Sequence, residues 1–135
     1  MNKAILAGNI TQDPKITTTE QGTVIANTSI ATNEYYKDKH GERQQITDFH
    51  NLVAFGKTAE LFEKHIKKGQ KLLIEGKIKT HAWEDKEGVK KYKTEIVVER
   101  VEFMGGKKED WAQLDDEAIT GGATREEVDE IFPQK

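Results

Sequence analysis

Thr47-Asp48-Phe49-His50-Asn51-Leu52-Val53-Ala54-Phe55-Gly56-Lys57 is the stretch on which the reading of the chain turns. As an extended strand it puts Phe49, Asn51, Val53 and Phe55 on one face and His50, Leu52 and Ala54 on the other. If Leu52 and Ala54 fill a core, Phe49 and Phe55 are left to stack on a partner or on another subunit. Buried phenylalanine is common enough that this strand alone leaves both readings open.

Downstream the period changes. Ala59, Phe62 and Ile66 recur at three and four residues, Leu61 and His65 are four apart, and Gly69 follows Lys67-Lys68, which predicts a short amphipathic helix over Lys57–Lys68. Alternation returns in Lys71–Trp83. Leu72, Ile74, Gly76, Ile78, Thr80 and Ala82 form a face suited to a core, with a bend at Gly76, while Glu75, Lys77, Lys79, His81 and Trp83 form a basic ladder ending in an indole. Solvated lysines on an outer strand face are ordinary; an exposed tryptophan in line with them is less so. Glu84–Lys90 reads as a hairpin tip, and Lys91–Met104 as a last long strand. Neither face of that strand is purely apolar, the mark of a bulge or of a strand serving two sheets.

Upstream, Lys3–Ile10 is a first strand, Thr11-Gln12-Asp13-Pro14 a turn, and Lys15–Thr19 a continuation. After Gln21-Gly22, the β-branched alternation of Thr23–Asn33 is a second strand. Polar Glu34–Gln45, with Tyr35 and Tyr36 at its start and His40-Gly41 at its turn, predicts a hairpin arm reaching out of the body. The order of three strands, a helix and two strands predicts a mainly β fold: the OB-fold, a five-stranded Greek-key barrel with one helix between strands 3 and 4.

The 135 residues suit one domain, expected over 1–105, with a flexible, disordered acidic tail over 106–135. Absence of cysteine excludes disulfides, zinc thiolates and cysteine nucleophiles. The N-terminus has too short an apolar stretch for a secretory signal, and no run reaches the ~20 residues of a membrane helix, so a soluble cytoplasmic protein is expected. The net charge of −3 divides into +4 over residues 1–108 and −7 over 109–135. A mildly basic body with an acidic tail is compatible with nucleic-acid binding, because the tail can leave the binding face or compete for it.

Asn2 to Ile10 with Gln12-Asp13-Pro14, then Ile30-Ala31-Thr32, Phe49-His50, Phe55-Gly56-Lys57, Lys68-Gly69, Ile74-Glu75-Gly76 and Trp83, occur in an order that resembles the bacterial and phage single-stranded DNA-binding proteins. The likeness runs from about Asn2 to Gly105. It implies an OB-fold that assembles, usually as a homotetramer with a dimer as the other possibility, and binds single-stranded DNA without strong sequence preference in replication, recombination and repair. Location would be cytoplasmic: the nucleoid, or for a viral gene the host cytoplasm. The family's stacking aromatics fall on Tyr36, Phe49, Phe55 and Trp83; Tyr36 and Phe49 stand where tryptophan is frequent, which implies weaker stacking. Lys57, Lys79 and His81 fall where the family places basic backbone contacts, and Lys3, Lys39 and Lys77 are counted with them as nucleic-acid-binding residues. Asn51 replaces a common basic residue. His50 matches a histidine of the family's subunit interface and is taken as an oligomer-interface residue.

Catalysis is not expected. His40, His50, His65 and His81 are scattered, Asp48 and His50 supply at most half a metal site, and Gly105-Gly106 and Gly121-Gly122 lie in polar stretches without the following Lys-Ser/Thr of a phosphate-binding loop. No cofactor and no metal are expected. In the tail, Asp129, Glu130, Ile131 and Phe132 resemble the acidic tip by which the family recruits replication and repair proteins. Phe132-Pro133 reverses the family order, and Gln134-Lys135 separate it from the terminal carboxylate. Thr124 and Glu127 also fit a capping box with Val128, Ile131 and Phe132 on one helical stripe. Either form predicts a partner-binding segment, with an inert solubilising tail as the alternative. The competing function for the whole chain is an OB-fold interaction or assembly module with incidental DNA binding.

Overall fold

The computed structural model describes residues 1–105. Six strands and one helix follow in the order β1 (Ala4–Ile10), β2 (Lys15–Thr18), β3 (Val24–Lys37), β4 (Arg43–Phe55), α1 (Gly56–His65), β5 (Lys71–Glu84) and β6 (Lys90–Phe103). With β1 and β2 counted as one strand interrupted by the Asp13-Pro14 turn, this is the five-stranded barrel expected, with its helix between the third and fourth strands. The sheet runs β1-β5-β6-β4-β3-β2, and β1 also pairs with β3 at Asn9↔Ala31 and Ile10↔Ile30, which closes the ring. Closure pairs β1 on both sides, which leaves fewer exposed sheet edges that could recruit other chains.

Alternation decides what each strand buries. Ile10, Ala26, Ile30, Leu52, Ala54, Leu72, Ile74, Ile96, Val98 and Val101 point into the barrel, where Ala59, Leu61, Phe62 and Ile66 join the same core. The helix starts directly from β4: its N-cap, Phe55, is still extended, and no side chain caps it. It ends at His65, short of the expected Lys68, because Ile66 turns out of helical geometry (φ −106°, ψ 128°) to bury its side chain. Gly69, at φ +92°, then donates its N–H to the Ile10 carbonyl at 2.7 Å and returns the chain to the barrel.

The bend expected at Gly76 is present. Register shifts between Glu75↔Arg100 and Gly76↔Val98, leaving Glu99 as the extra residue of a bulge in β6. Beyond it β6 serves two neighbours, antiparallel to β5 and parallel to β4 at Leu52↔Ile96 and Val53↔Val97. A Cβ on Gly76 would lie 2.2 Å from the Val97 carbonyl oxygen, so only glycine lets the strands approach this closely. The core face of β5 ends here too. Ile78 is 44% exposed, and Thr80 and Ala82 are exposed with it, contrary to their expected place in the core. Past the Ile78↔Ile96 pair, the last level at which β6 meets β4, β5 and β6 leave the barrel as a paired arm. The β3–β4 hairpin makes the second arm, as its polar sequence predicted.

Candidate nucleic-acid interface

Directly paired residues in a sheet share a face, so the register assigns each candidate side chain a side. On the barrel's outer side β4 carries Phe55, Val53, Asn51 and Phe49, opposite Ile25, Asn27, Ser29 and Ala31 of β3. Val53 is level with Val97 of β6, and Val97 with Lys77 of β5. From Lys77 the same face continues through Lys79, His81 and Trp83, opposite Glu95, Lys93 and Lys91. Phe49 and Trp83 therefore belong to one outer surface, with a basic ladder between the barrel and the indole.

Phe55 does not belong to the accessible part of that surface. Its ring is 2% exposed and packs with Ile25, Val53 and Val97 in a small second cluster on the outer side. β4 is consequently buried on both faces at its C-terminal end, Leu52 and Ala54 inward, Val53 and Phe55 outward. In the single chain, then, the Phe55 ring packs as a floor beneath the outer surface, in contrast to the exposed ring expected of a stacking residue. Phe49, six residues away, is 69% exposed, and Trp83 is 41% exposed with His81 stacked on it, ring centroids 5.5 Å apart.

Tyr36 is exposed, but the register puts it opposite Gln44, on the face of Thr32, Asp48 and His50. It is not brought to the side of Phe49 and Trp83. The adjacent Tyr35 is, opposite Gln45, with the Arg43 guanidinium 4.1 Å from its ring centroid. Tyr35, Arg43, Lys91 and Lys93 were missed from the sequence; counting twos across each hairpin from its glycine turn would have found them.

The cations differ in freedom. Among the described residues neither Lys77 nor Lys79 has a carboxylate within 4.0 Å, whereas Lys93 meets Glu95 at 3.0 Å and Lys91 meets Asp85 at 4.0 Å. Lys3 is engaged: its ammonium lies 2.5 Å from Glu75, and hydrogen bonding and charge from that carboxylate raise its pKa while the Glu75 pKa falls. Glu75 is also eight residues along β5 from Trp83, so Lys3 is neither free nor near the rings. Lys57 is exposed in the first turn of α1, and Lys39 is exposed at the tip of the β3–β4 hairpin. That tip is fastened by Asp38, which accepts N–H bonds from Glu42 and His40 and a side-chain bond from Gln44. The Glu42 amide, then Gln44, hold its pKa below the usual value of 3.8. His50 is half-buried on the inward-facing side, its Nε2 2.9 Å from the Thr32 hydroxyl. Asp129, Glu130, Ile131 and Phe132 lie outside the described residues.

A closed OB-type barrel with two projecting hairpins, exposed rings and unpaired lysines on one outer side belongs to the oligonucleotide-binding class of this fold. The model of the single-strand binding protein family matches residues 1–104, and the chain belongs to that family. Among solved structures it is similar to the Plasmodium falciparum SSB in complex with ssDNA, at 28% identity and a TM-score of 0.72 over 78% of this chain and 96% of that one. It is also similar to a deletion mutant of the single-stranded DNA binding protein from Thermus aquaticus, at 25% identity and a TM-score of 0.69. That match covers 79% of this chain and 52% of the Thermus chain, so this chain spans about half its length.

Proposed function

We propose that the chain binds and protects single-stranded DNA irrespective of sequence, with bases stacked on Phe49 and Trp83, phosphates neutralised by Lys77 and Lys79, and His81 contacting the backbone beside them. Lys57 and Lys39 add charge at the helix start and the hairpin tip. The observation that carries this reading is the shared outer face of Phe49, Lys77, Lys79 and Trp83. Every base offers a π-face, so stacking at roughly 1–3 kcal/mol per base is indifferent to sequence. Duplex bases are already stacked on one another and give these rings nothing. Tyr36 contributes where the strand passes round the hairpin to its other side.

The family is one of non-catalytic DNA-binding proteins, and this chain acts by occupancy, without turnover. Its working form is a homo-oligomer, tetramer or dimer, with His50 at the interface. Its setting is the cytoplasm, in replication, recombination and repair, where segment 125–135 of the sequence binds other proteins through Asp129, Glu130, Ile131 and Phe132. Among the described residues no helix is long and apolar enough to cross a membrane.

Trp83 fluorescence in a Trp111→Phe background tests the binding face. Oligo-dT and mixed-sequence oligonucleotides should quench it alike, and duplex of equal length should not. A signal indifferent to single strands, with full-length protein still capturing proteins through its barrel, would favour the interaction-module reading instead. Deleting 125–135 should spare DNA binding and abolish partner pull-down; unchanged pull-down would reject the tail's role.

A further inference from the structure

Adjacent residues of a strand point to opposite sides, so Tyr35 and Tyr36 cannot serve one surface together. The β3–β4 register runs without a shift from Ile25↔Phe55 to Lys37↔Arg43, so no bulge reverses the alternation between barrel and hairpin. Tyr35 consequently shares its side with Asn33, Ala31 and Phe49, about 14 Å along the strand from the Phe49 level at ~3.4 Å per residue. Its ring is 55% exposed, although Arg43 stands over it at 4.1 Å from the centroid. A guanidinium placed over a ring leaves its outer side for stacking and its N–H groups for phosphate. Lys37, paired with Arg43 across the hairpin, adds a second cation at the same level.

We propose that Tyr35 and Arg43 form one nucleotide subsite at the distal end of the binding face. A base stacks on the layer they make, and the guanidinium edge takes the adjoining phosphate. This deepens the preceding function and rests on its outer binding face. Tyr36 lies on the far side of the hairpin and is outside this subsite.

Affinity for oligo-dT, measured at several salt concentrations for full-length Trp111→Phe protein, tests the assignment. Tyr35→Ala should weaken binding roughly 5- to 150-fold, the range for one stacked base, with the salt slope and the melting temperature unchanged. Arg43→Ala should weaken binding and also flatten the slope by about 0.7, one phosphate contact. Arg43→Lys should restore that slope while the stacking loss remains, a split that a purely structural role would not produce. Tyr36→Ala should cost less than Tyr35→Ala. Full affinity in Tyr35→Ala, or a larger loss in Tyr36→Ala, overturns the subsite; if Trp83 quenching persists in that protein, the binding face itself survives. Absence of Trp83 quenching in the parent protein would instead bring down the face and the subsite with it.

Discussion

Phe49 and Phe55 occupy the same side of one strand six residues apart, and the structure gives them opposite surroundings. Phe55 is 2% exposed among Ile25, Val53 and Val97, so Phe55→Ala removes a buried ring and leaves a cavity. Such truncations cost about 3–5 kcal/mol. The cluster has only four members and can partly collapse, which points to the low end, about 3 kcal/mol. At 4–8 °C per kcal/mol for a domain of this size, melting should fall by about 12–24 °C. Phe49, 69% exposed, has little packing to lose, and Phe49→Ala should stay within about 0.5 kcal/mol of the parent. Its loss should appear in binding: one base's stacking, about 1–3 kcal/mol, is a 5- to 150-fold drop in affinity. Thermal melts at fixed protein concentration, since assembly shifts the midpoint, and oligo-dT titrations well below each midpoint measure both quantities. A Phe55→Ala protein that melts normally but binds poorly, or a Phe49→Ala protein that binds normally, would refute the division.

The remaining expectations concern charge and backbone. Lys79→Ala should reduce the slope of log affinity against log salt by about 0.7, whereas Lys3→Ala should leave it unchanged because Glu75 already holds that ammonium. Gly76→Ala should destabilise by about 1–3 kcal/mol, as expected of overpacking, because the new methyl meets the Val97 carbonyl; denaturant midpoints at constant m-value check this. Asp38 has a folded pKa below its ordinary 3.8, so its contribution to hairpin order is complete above that value and fades as pH falls below it through the folded pKa. Amide exchange at His40 and Glu42 should rise over that acidic window relative to an Asp38→Asn protein.

Legibility in the sequence followed the range of the forces involved. The bend at Gly76, the two-sided last strand and the β3–β4 arm were all readable because each is a local break in period. The fate of Phe55 was not, since it depends on Ile25 and Val97, residues about thirty and forty positions away that only pairing brings alongside. Ile78 failed for the complementary reason: its alternation is right and it stands opposite the core residue Ile96, but it lies at the rim where the arm begins and stays 44% exposed. Tyr35 and Tyr36 are indistinguishable by residue type, and register alone separates them. Lys3 reads as an available cation until Glu75 is placed beside it.

The ring is joined very unequally. Each hairpin is laced along its whole length, from Ile25↔Phe55 to Lys37↔Arg43 and from Leu72↔Phe103 to Glu84↔Lys90, whereas β4 meets β6 only at Leu52↔Ile96 and Val53↔Val97. Phe49 rides on one ribbon and Trp83 on the other, and the closed barrel joins those ribbons twice, at this short parallel stitch and through β1, which pairs with both β5 and β3. Two seams at once therefore fix how far apart the rings stand, so a strand crossing from one to the other meets a span set by the girth of the barrel and not by either hairpin alone.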